Sequence, residues 1–233
     1  MAGQDRNLSA SVGDYVKAVW KIAGPNVIST NEISSRLSVS PASVTNMLGR
    51  LQEMGLIEYE RYRGTSLTRR GRIEALRLVR RHRLIETFLV EHLGYSWEDV
   101  HEEAETLEHA VSDEFTERLA ELLRHPDRDP HGDPIPRADG TLAEEDSYSL
   151  SEATVGARVC NIRVSDDYNA ATLAYLGEHG LVPGEVVSVK KVRFLDGVIT
   201  VEDEDGNLHL LGQSLAHSVF VVPIQSVSER AHG

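Results

Sequence analysis

Hydrophobic periodicity changes once along this chain, near residue 150, and the change requires separate helical and β parts. Before it, apolar residues recur at helical spacing, with one strand-like interruption in "LIEYERYRGTSLTRRG" around Arg63-Gly64. From about 152 to 223 the pattern alternates, in "GARVCNIRV", "GEVVSVKKV", "GVITVED", "NLHLLG" and "SVFVV", broken by a short helix in "NAATLAYLGEHG". Five short strands in about 70 residues predict a small barrel. The expected fold class is mainly α with a small β domain.

Local signals order the first part. "SVGDYVKAVWKIAG" places Val12, Tyr15, Val16, Val19 and Trp20 on one helical face and stops at Gly24-Pro25. In "STNEISSRLSV", Ser29 or Thr30 is the N-cap, with Ile33 and Leu37 turned inward. "SPASVTNMLGRLQEMG" offers Ser40 as N-cap and Pro41 at the first helical position, and ends at Gly55. Helix, helix, turn, helix, hairpin is the order of a winged helix-turn-helix. The helical stretch that follows carries more apolar residues (Leu76, Val79, Leu84, Phe88, Leu89) than one small domain needs, which points to an interface between subunits. Residues 126–150 are rich in Pro, Gly and Asp and read as a linker. The expected division is 1–75 DNA-binding winged helix, 76–140 helical metal-binding and dimerisation domain, 141–151 linker, 152–224 SH3-like domain and 225–233 mobile tail.

Charge is divided as unevenly as periodicity. Residues 1–83 hold 14 Lys/Arg against 7 Asp/Glu, whereas residues 84–233 hold 10 against 30, so a balance of +7 precedes one of −20. A basic first third suggests a polyanion-binding module despite the overall −13. No run of 18 apolar residues predicts a membrane span. The polar start "MAGQDRNLSA" lacks the core of a signal peptide, so the expected location is the cytoplasm. One cysteine, Cys160, excludes an internal disulfide.

The stretch "HEEAETLEH" concentrates ligand-type groups. At about 100° per residue, His101, Glu105, Glu108 and His109 share an arc of about 100° beside the apolar stripe of Ala104, Leu107 and Val111. Uncompensated charge at a core edge is costly, and a divalent cation would relieve it.

Together "RRHRLIETFL", "VHEEAETLEHAVSDE" and "DPHGDPIP", after a winged helix and before a small barrel, resemble the diphtheria toxin repressor family of metal-dependent regulators. The resemblance covers about residues 8–223. It implies a homodimer that binds a divalent metal and then grips operator DNA, usually repressing metal-uptake genes. Its primary site corresponds to Asp14, Glu105, Glu108 and His109. Asp and Glu, where the iron-sensing branch has Met and Cys, look like the manganese-sensing branch. Carboxylates and imidazole suit the hard Mn2+ ion, with Fe2+ as the alternative. Short manganese sensors of this kind carry a second acid one helical turn after the Asp. This chain has Lys17 there, which argues against a closely spaced dinuclear centre. The family's second site corresponds to His82, Glu86 and His101, with Asp129, His131 and Asp166 or Asp167 as further candidates.

For DNA, the third helix would enter the major groove. Ser40, Ala42 and Asn46 match the family's base-facing positions. Asn suits an adenine edge, and Ala42 suits a thymine methyl. Ser43, Thr45, Arg50, Arg61 and Arg63 are expected on phosphates. Three rivals remain: an iron-responsive repressor of the same family, a carboxylate-bridged di-metal enzyme, and a winged-helix regulator of a small organic ligand. The enzyme usually needs two Glu-x-x-His motifs, and Glu98-x-x-His101 is the only one in the helical region.

Overall fold

A computed structural model describes residues 8–23, 26–60, 63–143, 145–165 and 170–224. Arg61, Asp166, Asp167 and the tail 225–233 lie outside the described residues. The chain forms two units. The first runs to residue 88 and adds 102–127 and 135–142; the second comprises 89–101, 128–134 and the chain from 143.

In the first unit, α1 (Ala10–Ala23) buries Val12, Tyr15, Val16 and Val19. Helix α2 (Thr30–Leu37) starts at a complete capping box: Ser29 accepts from the Glu32 amide, and the Glu32 carboxylate accepts from the Ser29 amide. Helix α3 (Pro41–Glu53) starts at Ser40, whose hydroxyl accepts from the Ser43 amide, and buries Val44, Leu48 and Leu51. Strands β1 (Ile57–Glu60) and β2 (Gly64–Leu67) pair antiparallel from Ile57↔Leu67 to Glu60↔Gly64, forming the wing. Gly64 has φ +104°, and a Cβ there would lie 2.5 Å from the Ile28 carbonyl oxygen, so only glycine fits the turn. Ile33, Leu48, Leu51 and Leu56 close the core.

Helix α4 (Arg69–Leu93) spans 25 residues, followed by α5 (Val100–Leu107) and α6 (Asp113–Leu122). Among the described residues, no helix is long and apolar enough to cross a membrane.

The second unit holds a six-stranded antiparallel sheet. Its strands are β3 (Tyr148–Ser149), β4 (Arg158–Val164), β5 (Val186–Val192), β6 (Ile199–Glu202), β7 (Leu208–Leu211) and β8 (Val219–Pro223), in the order β3-β8-β4-β5-β6-β7. Helices α7 (Ala170–Glu178) and α8 (Gln213–Ser218) interrupt the strands, and Val159, Leu176, Val189, Val201, Leu211 and Val221 form the core. Two findings depart from the sequence reading. Strand β3 falls within residues read as linker, yet pairs with β8 through Tyr148↔Val221. Earlier in that stretch, Asp129, His131 and Asp133 are buried despite the loop-like composition.

Candidate metal centre

Asp14 stands on α1 just outside its apolar face, with its side chain 41% exposed. Gly13 permits the close approach beside it, since a Cβ there would sit 3.0 Å from Leu78 Cδ1 and 3.1 Å from His109 Cε1. On the other side, α5 ends at Leu107, so Glu108 and His109 belong to the turn that follows. The single-helix arc expected for His101 through His109 is therefore interrupted. The Glu108 amide still donates to the Ala104 carbonyl (2.9 Å), which holds its side chain in the fully buried position. Ser112 then caps α6.

These elements bring Asp14, Glu105, Glu108 and His109 together, with one potential ligand atom from each within 4.8 Å of all the others. His109 Nε2 lies 2.8 Å from Asp14 Oδ1 and 3.4 Å from Glu108 Oε1. Burial pushes the Asp14 carboxyl above its usual range, against the opposing pull of His109 and Lys17. Three carboxylates and an imidazole form a hard donor set that fits a divalent cation such as Mn2+ or Fe2+.

Sequence reasoning did not foresee how tightly the buried charges are tied. Lys17 is buried, and its ammonium donates to Glu105 Oε1 (2.8 Å) and Glu108 Oε1 (2.6 Å). Burial acts to lower its pKa, but Glu108 and Glu105 outweigh this and raise it. The other Glu108 oxygen accepts from His82 Nδ1 at 2.7 Å, and His82 Nε2 donates to Glu86 Oε1 at 2.9 Å. With a carboxylate at each nitrogen, His82 here is an imidazolium bridge. It must lose a proton before it can ligate a metal.

Burial alone would depress the His82 pKa, but Glu86 and Glu108 reverse this and lift it from 6.5 to about 9. Because the folded value exceeds the unfolded one, the stabilisation is complete below pH 6.5 and is lost as pH rises through 9. The shift corresponds to about 3 kcal/mol. The melting temperature of chelator-treated protein should fall between pH 6.5 and 9.5, and the fall should be smaller in His82→Gln. Superimposable profiles for the two proteins would refute the bridge.

The acids of α6 also meet the basic stretch of α4. Arg80 forms a two-armed pair with Glu117 (3.1 and 2.9 Å) and donates to the Pro136 carbonyl. Arg77 and Arg81 both pair with Asp113. Part of the positive surplus in residues 1–83 is thus neutralised within the unit.

On α3, Ala42, Ser43, Thr45, Asn46 and Arg50 are exposed, as is Ser40 at the cap. The Ser40 and Ser43 hydroxyls bond each other (2.9 Å), and Thr45 donates to the Pro41 carbonyl (2.9 Å). Arg63 projects from the wing and pairs with Glu60 at 3.2 Å.

Of the other expected ligands, His82 and Glu86 belong to the first unit, and His101, Asp129 and His131 to the second. Within the second unit, Asp129 Oδ1 accepts from the amides of His131 and Asp133, both at 2.9 Å. His131 Nε2 donates to the Trp97 carbonyl at 2.6 Å, the tautomer that places the ring's lone pair on Nδ1. Gly132 has φ +86°, and a Cβ there would lie 2.0 Å from the Ile162 carbonyl oxygen, so the turn requires glycine.

Known families account for all three parts of the chain. Residues 7–65 match the iron dependent repressor N-terminal DNA binding domain, 68–137 the iron dependent repressor metal binding and dimerisation domain, and 148–223 the FeoA domain. An HTH-type transcriptional regulator of Methanocaldococcus jannaschii is 40% identical over 48% of this chain and 91% of its own length. The chain belongs to the iron-dependent, or diphtheria toxin, repressor family. Another relative, the iron-dependent repressor IdeR of Mycobacterium leprae, is 29% identical over 89% of this chain and 94% of its own. A solved manganese-dependent transcriptional repressor in complex with manganese superposes with a TM-score of 0.84 at 37% identity, covering 91% of this chain and all of that one. Members of the iron-dependent repressor family are transcriptional repressors, so the enzyme reading is not supported.

Proposed function

We propose that this chain is a manganese-dependent, DNA-binding transcriptional repressor. It acts as a cytoplasmic homodimer, probing the cell's metal supply and controlling metal-uptake genes. The observation that carries this reading is the hard cradle of Asp14, Glu105, Glu108 and His109. Thiolate and thioether donors of the kind that favour softer ions are not part of that set.

Asp14 stands on α1, whose apolar residues Val12, Tyr15, Val16 and Val19 share one core with those of α2 and α3, so its position is tied to the DNA-reading helix. Glu105, Glu108 and His109 come from the helical part that matches a dimerisation domain. A bound divalent ion supplies the positive charge that allows the three carboxylates to remain close. Asp14 then fixes α1 against the α5 turn, reducing the conformational freedom that DNA binding must overcome. Asn46 and Ala42 are proposed to read bases, with Ser40 at the cap beside them. Ser43, Thr45, Arg50 and Arg63 are proposed to hold phosphates. His101, Asp129 and His131 are proposed as further metal-binding side chains, by their ligand chemistry.

The test is binding to the promoter beside the gene, followed by gel shift with Mn2+, with Fe2+ and with EDTA. EDTA should abolish the complex and Mn2+ should restore it. Operator binding at undiminished affinity by metal-free protein would overturn the reading, and restoration by Fe2+ but not Mn2+ would favour the iron-responsive one.

A further inference from the structure

We propose that Lys17 is a resident cation of the metal cradle, one that weakens metal binding and so sets the concentration at which the protein responds. This rests on the metal-site reading above and goes beyond it. The ammonium lies 2.8 Å from Glu105 and 2.6 Å from Glu108, two of the four groups assigned to the ion. Its side chain is 7% exposed and that of Glu108 is 0% exposed, so water screens the pair little. Lys17 comes from α1, the same helix as Asp14. In the metal-free protein it therefore does part of what a metal would do, holding carboxylates of the α5 turn against α1.

An ordinary supporting residue and a resident cation predict opposite signs. If Lys17 merely shaped the cradle, removing it would weaken metal binding. As a like charge beside the ion, it opposes metal binding, and removing it should strengthen the binding. Without metal, the same removal should loosen the fold, because two carboxylates lose their partner.

The experiment compares wild type with Lys17→Met, which keeps an unbranched apolar stem, and with Lys17→Gln and Lys17→Arg. Mn2+ affinity is measured by calorimetry and by loss of the free-ion resonance signal, and melting temperature is recorded with and without Mn2+. We expect Lys17→Met and Lys17→Gln to bind Mn2+ at least tenfold more tightly and to melt lower without metal. Lys17→Arg should return affinity towards wild type. A variant that folds only with Mn2+ supports the proposal, since the ion then replaces the missing ammonium. Unchanged or weaker Mn2+ binding in both neutral variants overturns it. Asp14→Ala separates the two layers: if wild-type Mn2+ binding is indifferent to that change, the reading of the cradle itself fails and this inference with it.

Discussion

Replacing Glu108 by alanine is expected to destabilise the metal-free protein by about 3–5 kcal/mol, because it leaves buried charges without their shared partner. One Glu108 oxygen accepts from the Lys17 ammonium and the other from the His82 ring, with no exposed surface on the side chain. Lys17 would retain Glu105, and His82 would retain Glu86, so collapse need not be complete. Glu108→Gln keeps the shape and removes only the charge, and should cost less than alanine. Urea unfolding in EDTA measures both. A loss below about 1 kcal/mol for alanine would place Glu108 among ordinary surface ion pairs and contradict the buried network. The expected instability also means that a lost metal response in Glu108 variants says little about ligation. Asp14, partly exposed and outside that network's centre, is the cleaner position to change.

The second large effect is a change of metal preference. Asp14→Met combined with Glu105→Cys removes two anionic oxygen donors and introduces a thioether and a thiol. Affinity for Mn2+ should fall at least tenfold, about 1.4 kcal/mol. Fe2+, Co2+ or Ni2+ should then activate in preference to Mn2+, since a hard, weakly binding ion loses most when carboxylates are removed. Lys17 would keep Glu108 as its partner, so the core of the network should survive. Each metal is titrated against operator binding by fluorescence anisotropy for both proteins. Unchanged half-activation by Mn2+ in a folded double variant would show that these two residues do not govern the response.

The DNA-binding fold was legible because its signals are local. Ser29 or Thr30, Ser40 with Pro41, and Gly55 mark helix ends in the sequence, and the structure places the first of these caps at Ser29. The alternation of β4 to β8 was equally readable, whereas two-residue β3 is too short to show a period. The ligand-type residues of the cradle could be named from the sequence, but their linkage could not. Lys17 and Glu108 are 91 positions apart, and no spacing rule indicates that the lysine is buried. Treating His101 to His109 as one continuous helix failed because the helix stops at Leu107, a break with no Gly or Pro to announce it. Asp129 and His131 could be named as candidate ligands, but the burial of Asp129, His131 and Asp133 was concealed by the loop-like composition of their segment. Their burial depends on local turn bonds to Asp129 and on the fit of Gly132 against Ile162.

The arginines of α4 change how attraction to DNA should be counted. A duplex gains much of its affinity for a protein by shedding condensed counterions, one for nearly every phosphate that a lysine or arginine neutralises. Arg77, Arg80 and Arg81 are already matched by Asp113 and Glu117. So paired, they would be expected to displace few ions from a duplex, whatever the formal charge of the first 83 residues suggests. On the proposed DNA-reading surface, sensitivity to ionic strength would rest on solvent-facing cations such as Arg50 of α3 and Arg63 of the wing, whose pair with Glu60 is itself exposed. Arg77, Arg80 and Arg81 serve instead as internal struts, anchoring the helix that presents His82 to Glu108.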